Sequence, residues 1–260
     1  MNGKIIHTVC LLLSLCLLSF SNNQKQKPTN PGTVKITFKN TVKGNPLELN
    51  TGNYINPFGE TYTVSKFKYY ISNIFLVKGK VVSFSCEYPF EKPECYHLVD
   101  ESKPESLQFS FPVIAGNYDS IRFMLGVDSL HNVSGAQTGA LDPLNDMFWT
   151  WNSGYVMAKL EGKSPQSKII NNKLEFHIGG FMGEHNVLKN ITLNFPQDKL
   201  LEVKEGKTTE IIIEADIDTW WQQPNEIKIA EHAVCSMPGA LAKKIADNYC
   251  KMFRIKEIIN

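Results

Sequence analysis

The residues best suited to metal chemistry are histidines and methionines, and they are densest in the segment LEFHIGGFMGEHN. His177, Met182 and His185 lie close together there. Gly179 and Gly180 lie between them, and glycine lets the backbone turn so that such side chains converge. Imidazole and thioether donors together favour copper over Ca²⁺ or Mg²⁺. The segment therefore predicts a site for a soft or borderline metal ion.

His177 is the best candidate ligand in this segment. Leu174, Phe176 and Ile178 alternate with polar residues, which predicts a strand with one apolar face. His177 then lies on the polar face, where it is held rigidly and points away from the core. His232 and Met237 form a second candidate pair before the predicted C-terminal helix. Taken one at a time, each histidine is more often a surface or hydrogen-bonded residue than a metal ligand.

The signatures of common enzyme classes are missing from the sequence. There is no G-x-S-x-G, H-E-x-x-H, G-x-x-x-x-G-K-[ST] or C-x-x-C motif. Asp142, Asp146 and Glu161 could pair for glycoside hydrolysis, and the oxygen-rich loop that precedes Glu161 could bind Ca²⁺. Nothing brings the carboxylates together, and the loop lacks EF-hand spacing, so turn-forming roles explain it better. The sequence thus predicts a non-catalytic protein.

The net charge and the N-terminus limit the partners and the compartment. The net charge of +1 and the lack of a basic stretch with interleaved aromatic residues argue against nucleic-acid binding. Lys4, the apolar run 9–20 and the triplet SFS predict a signal peptide over residues 1–21. A leucine precedes Cys16 where a lipobox needs a small residue, which argues against lipidation. No other apolar run is long enough to span a membrane. We expect a periplasmic or cell-surface protein that is not an integral membrane protein.

The rest of the chain predicts one β-rich domain. Residues 22–33 are polar and contain prolines, as in a tether. Alternating apolar and polar residues predict a series of strands at 34–38, 67–71, 97–100, 121–125, 174–178, 191–195 and 211–217. Trp149 and Trp151 share one face of a further strand and are best explained as core residues. Only the segment after Pro238 has a helical pattern. The predicted fold of residues 34–260 is all-β, an antiparallel β-sandwich with a short C-terminal helix.

Four cysteines remain after the signal peptide and suggest two disulfides, because exported chains favour them. Cys86 and Cys95 flank a proline-containing loop and form the better pair. Cys235 and Cys250 are harder to join. If 238–250 is one helix, its ends lie about 18 Å apart, whereas a disulfide needs Cα atoms within about 7 Å. That pair therefore forms only if the helix is shorter or starts later.

Six motifs occur in order over most of the mature chain. They are SKFKYYISNIFL (65–76), YHLVD (96–100), AGNYDSIRFMLGVD (115–128), GALDPLNDMFWTWNSGYVMAKLEG (139–162), FHIGG (176–180) and NYCKMF (248–253). In these motifs the chain resembles the MbnP-like family of exported copper-binding proteins. The resemblance implies a β-sandwich in which two histidines hold Cu(I) beside a kynurenine made from tryptophan. The resemblance also implies a partner di-haem cytochrome peroxidase that carries out this oxidation.

The resemblance also assigns ligands to this chain. It implies that His177 in FHIGG and His97 in YHLVD are the copper ligands. In members with a kynurenine, a tryptophan lies two residues before the second histidine, and Cys95 stands at that position here. This difference argues against a kynurenine at that position. A ligand histidine usually donates its other N–H to a carboxylate, and Glu175 or Glu184 could accept it.

Two other functions compete with copper binding. One is a binding or surface-interaction β-sandwich without a metal site, which the absence of a tryptophan two residues before His97 favours. The other is a carbohydrate-active enzyme that uses paired carboxylates and the tryptophan strand as a stacking platform. Metal uptake would distinguish a copper protein from the binding module without a metal site. Turnover on a polysaccharide would identify the carbohydrate-active enzyme.

Overall fold

The computed structural model describes residues 30–79, 81–84, 95–149 and 154–260. The predicted signal peptide, Cys86 and Trp151 lie outside the described residues. The strands within the described ranges are β1 (Gly32–Val42), β2 (Asn45–Pro46), β3 (Tyr54–Ile55), β4 (Thr61–Lys78), β5 (Val81–Phe84), β6 (Tyr96–Asp100), β7 (Gln108–Val113), β8 (Gly116–Tyr118), β9 (Ser120–Leu125), β10 (Phe148–Trp149), β11 (Gly154–Lys163), β12 (Lys173–Gly179), β13 (Lys189–Asn194), β14 (Leu201–Val203), β15 (Thr208–Asp216), β16 (Val234–Cys235) and β17 (Phe253–Ile259). The α-helices are α1 (Ser129–Val133) and α2 (Ala240–Tyr249).

Two larger sheets carry the fold. The first has the order β17-β15-β1-β2, and β7 also pairs with β1. The second has the order β13-β9-β4-β11-β12-β16, with β3, β5 and β6 paired to β4 and β10 paired to β11. Strands β8 and β14 form a separate pair. Most pairs are antiparallel, whereas β1 with β15 and β12 with β16 run parallel. The prediction of an all-β sandwich with a short C-terminal helix is confirmed.

Aromatic side chains pack the two larger sheets together. In β1 every second residue from Val34 to Phe38 is buried, as the alternating pattern predicts. The rings of Phe38 in β1 and Tyr69 in β4 lie 5.8 Å apart, and those of Phe253 in β17 and Phe123 in β9 lie 5.1 Å apart. Each such pair contributes about 0.5–1.5 kcal/mol beyond the burial of apolar area. One face of each sheet is thereby committed to the core.

The C-terminal part of the chain adds a helix and a strand to this sandwich. Helix α2 packs on a 3₁₀-helix, Ile217–Trp221, where Trp220 contacts Tyr249 with ring centroids 4.8 Å apart. The helix ends at Tyr249, and β17 follows it, a strand that the sequence reasoning did not predict. In the part of the chain that is described, no helix is long and apolar enough to cross a membrane.

The expected pair of disulfides needs correction at Cys235 and Cys250, because both are free thiols. Cys235 lies in β16, and Cys250 directly follows α2. Helix α2 starts at Ala240, two residues later than the sequence reasoning assumed, yet the two thiols stay unbonded. Since Cys86 lies outside the described residues, its pairing with Cys95 stays a prediction.

Candidate metal centre

Charged residues cover part of the outer face of the ten-stranded sheet, which is the larger of the two. The residues that alternate with them along the strands, Leu160 in β11 and Phe176 in β12, are fully buried in the core. Two rows of three residues lie in register across β4, β11 and β12: Lys68, Lys159 and His177 in one row, and Lys66, Glu161 and Glu175 in the next. Paired residues of an antiparallel sheet project to the same face. His177 thus lies on the polar face of its strand, as the alternation predicted.

A carboxylate from the neighbouring strand orients His177. The imidazole Nε2 lies 2.9 Å from Glu161 Oε1 and 3.9 Å from Glu175 Oε2. The hydrogen bond from His177, assisted by the charge of Lys66, lowers the pKa of Glu161 to about 2. Glu161 is therefore ionised, and Nε2 is the nitrogen that donates to it. The other nitrogen, Nδ1, makes no hydrogen bond to any residue in the described ranges.

Lysines neutralise the carboxylates around His177. Glu161, Glu175 and His177 each offer a ligand atom within 4.8 Å of the others. However, Lys66 Nζ lies 3.3 Å from Glu161, and Lys173 Nζ lies 2.6 Å from Glu175. An additional hard cation here would compete with these ammonium groups. The carboxylates therefore serve to hold His177.

Asp146 closes this network from the loop in front of β10. Its Oδ2 lies 2.9 Å from Lys159 Nζ and 3.0 Å from Lys66 Nζ, and its carbonyl accepts a further bond from Lys159. Burial opposes ionisation, but hydrogen bonds from the two lysines lower the pKa of Asp146. A glycosidase general acid needs a raised pKa. Lowered pKa values at both Asp146 and Glu161 therefore argue against the glycosidase alternative.

The proposed calcium-binding loop uses its oxygens for other contacts. Asp128 caps helix α1 by accepting the backbone N–H of His131, and its carboxylate also contacts the Tyr96 hydroxyl. The Asn132 carboxamide oxygen accepts the backbone N–H of Tyr155 at 2.9 Å. Asp142 caps a short 3₁₀-helix by accepting the N–H of Leu144. These are the turn-forming and capping roles that such residues favour.

An open cavity of about 710 Å³ lies beside His177. Trp149, Lys159, His177 and Met237 all line it. Strand β10 pairs with β11 on one side, and β16 pairs with β12 on the other. Met237, which follows β16 by two residues, is 63% exposed. The cavity thus presents an imidazole and a thioether to solvent.

Close backbone packing fixes the position of Trp149. Its indole lies so near Gly179 of β12 that a Cβ on that glycine would fall 2.5 Å from a ring carbon. Trp149 is 7% exposed, in agreement with the prediction of a core tryptophan. It is nevertheless also a wall of the His177 cavity.

The structure places His97 away from His177. His97 pairs in register with Ile71, which is fully buried. It contacts Phe109 of the other sheet, with ring centroids 4.2 Å apart, and its Nε2 lies 2.6 Å from the Ser106 carbonyl. Burial, opposed by this hydrogen bond, lowers the pKa of His97.

The two histidines that the resemblance pairs are therefore on opposite faces of the larger sheet. They are also three strand spacings apart, because β4 and β11 separate β6 from β12; this is about 14 Å. Alternation placed His177 on the polar face of its strand, but it could not give the position of His97 relative to His177, because that depends on the strand pairing. The pairing joins strands that are distant in sequence.

The other predicted ligands lie in two further places. Met182 and His185 line a smaller cleft of about 220 Å³ that also contacts Trp149. His232 lies in a turn before β16, where its backbone N–H bonds to the Lys228 carbonyl. Glu184 contacts His185 at 3.6 Å and does not reach His177. The carboxylate that orients His177 most closely is Glu161, which the sequence reasoning did not name for that role.

The fold and this site define an all-β sandwich protein with a histidine-based candidate metal centre on its outer face. Residues 31–237 match the model of the MbnP family, and the chain belongs to that family. Among solved structures, MbnP from Methylosinus trichosporium matches with a TM-score of 0.54 and 14% sequence identity, covering 80% of this chain and 83% of that chain. This likeness concerns the fold. No curated protein matches the chain.

Proposed function

We propose that the protein is an exported, non-catalytic copper-binding protein that holds Cu(I) in the cavity beside His177. The observation that carries this proposal is the setting of His177. An ionised carboxylate holds its Nε2, and the residue shares an open cavity with the thioether of Met237. A carboxylate that orients one imidazole nitrogen is the usual support for a histidine that ligates metal through the other.

The donor set fits Cu(I) better than harder cations. Cu(I) accepts soft thioether and imidazole donors and tolerates low coordination numbers. His177 and Met237 supply one donor of each kind. The carboxylates nearby are already paired with lysines. Among the described residues, these two therefore form the primary ligand set of the proposed site.

The finer expectations from the family resemblance remain proposals. His97 would need a large rearrangement to join His177, so we propose that it is a packing residue here. If an oxidised tryptophan is formed, Trp149 is the candidate, because it lines the cavity. A di-haem cytochrome peroxidase remains the partner that the resemblance suggests for such an oxidation. Export to the periplasm or cell surface remains the expectation from residues 1–21.

Anaerobic competition titration with a colorimetric Cu(I) chelator tests the proposal, with Cys235→Ser/Cys250→Ser as the background because free thiols also bind Cu(I). We expect His177→Ala to weaken Cu(I) binding at least about 100-fold, and Glu161→Gln to weaken it about 10–100-fold through loss of the orienting carboxylate. His232→Ala is the matched control and should bind as the wild type does. Equal affinity of wild type and His177→Ala would contradict the proposal.

The separation of His97 from His177 favours a second candidate function. With one of the two expected histidines on the core side, the chain is also suited to a binding module that has no metal site. In that case wild type, His177→Ala and His232→Ala would all fail to compete for Cu(I). The same titration therefore separates the two functions.

A further inference from the structure

A second pair of soft donors lies next to the His177 cavity. Met182 and His185 line a cleft of about 220 Å³, and Trp149 is a wall of both this cleft and the cavity. Met237 lines the cavity, while its neighbour Pro238 lines the cleft. Two donor pairs of the same kind, one imidazole and one thioether each, therefore adjoin a single tryptophan.

Both side chains of the cleft are open to solvent. Met182 is 65% exposed, and the His185 side chain is 44% exposed. Because so much of each side chain is exposed, neither fills the hydrophobic core, and both donor atoms are accessible to an ion from solvent. Glu184 Oε1 lies 3.6 Å from His185 Nε2 and adds a negative charge beside the cleft. A thioether, an imidazole and a nearby carboxylate suit a soft monovalent cation.

The backbone holds the two donors on one fixed turn. Gly180 has φ +124° and lies so close to the His185 carbonyl that a Cβ would fall 2.7 Å from that oxygen. The Val187 N–H closes the turn on the Gly180 carbonyl at 3.0 Å. Ser129 Oγ from α1 donates to the Phe181 carbonyl at 3.2 Å. The turn that carries Met182 and His185 is thus anchored at both ends.

We propose that Met182 and His185 form a second, solvent-facing site for a soft monovalent cation, separate from the cavity of His177. The inference deepens the proposed function and rests on it for the identity of the metal as Cu(I). Ag(I) has the same charge and soft-donor preference and undergoes no redox chemistry under assay conditions. It is therefore the probe for this site.

Calorimetric titration with Ag(I), combined with ¹⁵N spectra of the histidine rings, tests the inference. The titration uses a Cys235→Ser/Cys250→Ser background, because both cysteines are free thiols that would themselves take up Ag(I). In this background we expect two equivalents to bind and to shift the ring signals of both His177 and His185. Met182→Leu/His185→Asn should bind one equivalent fewer and keep the His177 shift. His177→Asn should keep the His185 shift. His232→Asn is the control and should match wild type.

The outcomes separate this inference from the proposed function. If Met182→Leu/His185→Asn keeps the wild-type stoichiometry, or if the His185 ring never shifts, the second site is overturned whatever His177 does. If that variant loses one equivalent while His177→Asn loses none, the second site stands and the proposed function fails. Both exposed substitutions should leave the thermal unfolding midpoint unchanged, which confirms that the variants are folded.

Discussion

At the scale of single residues, His177 combines an orienting carboxylate with access to solvent. His131 also contacts a carboxylate, because its Nδ1 lies 3.0 Å from Asp128 Oδ1. However, His131 is 5% exposed and also bonds to the Tyr96 hydroxyl, so its ring is used inside a buried cluster. A carboxylate partner alone does not distinguish a candidate metal ligand from a buried structural histidine. The open cavity beside His177 makes that distinction.

The lowered pKa of Glu161 predicts a specific dependence of stability on pH. Glu161 has a pKa of about 2 in the folded state, compared with its ordinary value of 4.5. The ionised form therefore stabilises the fold above pH 4.5, and this contribution is lost as the pH falls towards 2. We expect wild type to be more stable than Glu161→Gln above pH 4.5, with the difference shrinking as the pH falls through this window.

Urea unfolding at a series of pH values measures this difference. Glu226→Gln is the matched control, because the Glu226 side chain is 71% exposed and its ion pair with Lys228 spans 3.6 Å. Its difference from wild type should stay small across the window. Parallel stability curves for wild type and Glu161→Gln would contradict the role given to Glu161.

At the scale of elements, the site depends on how closely β10 approaches β12. Trp149 lies against Gly179, and a Cβ there would also come within 3.0 Å of the Tyr155 carbonyl. We expect Gly179→Ala to displace the indole and to destabilise the protein by about 1–3 kcal/mol, as overpacking does. Chemical denaturation monitored by tryptophan fluorescence measures both effects.

Gly239→Ala is the control for this substitution. A Cβ at Gly239 would meet no atom within 4 Å, and the backbone there is extended. We expect its unfolding midpoint to stay close to that of wild type. A Gly179→Ala variant as stable as Gly239→Ala would show that the indole can move away without cost.

Local sequence patterns predicted the positions of the strands better than they predicted which strands pair with each other in the sheets. Alternation located β1, β9, β12 and β15. The strand β17 was missed, although Phe253 and Ile255 alternate with charged residues there. The pairing of Thr33 with Thr208 connects distant segments, and no local pattern encodes it. Because the sheet order was unknown, the separation of His97 from His177 was also unknown.

At the scale of the whole molecule, the C-terminal segment completes the core beyond the region that matches the family. The match ends at residue 237, yet β17 pairs along β15 and its Phe253 contacts Phe38 of β1. Helix α2 contributes Tyr249, which packs on Trp220. The sandwich thus needs residues that follow the matched region.

A truncation test follows from this arrangement. We expect a fragment of residues 31–237 to lose cooperative unfolding, because the edge of β15 and the apolar face under α2 are uncovered. The control is residues 31–258, which keeps α2 and most of β17. Circular dichroism during heating compares the two fragments. A cooperative transition of 31–237 at the midpoint of the control would contradict the structural role of α2 and β17.

The central claim is that copper binds in the cavity beside His177. Anomalous X-ray diffraction at the copper edge, on crystals loaded with Cu(I) under reducing conditions, tests it most directly. We predict an anomalous peak about 2 Å from a ring nitrogen of His177 in wild type, and no peak there in His177→Ala. A peak located only elsewhere, or none in fully loaded wild-type crystals, would contradict the claim.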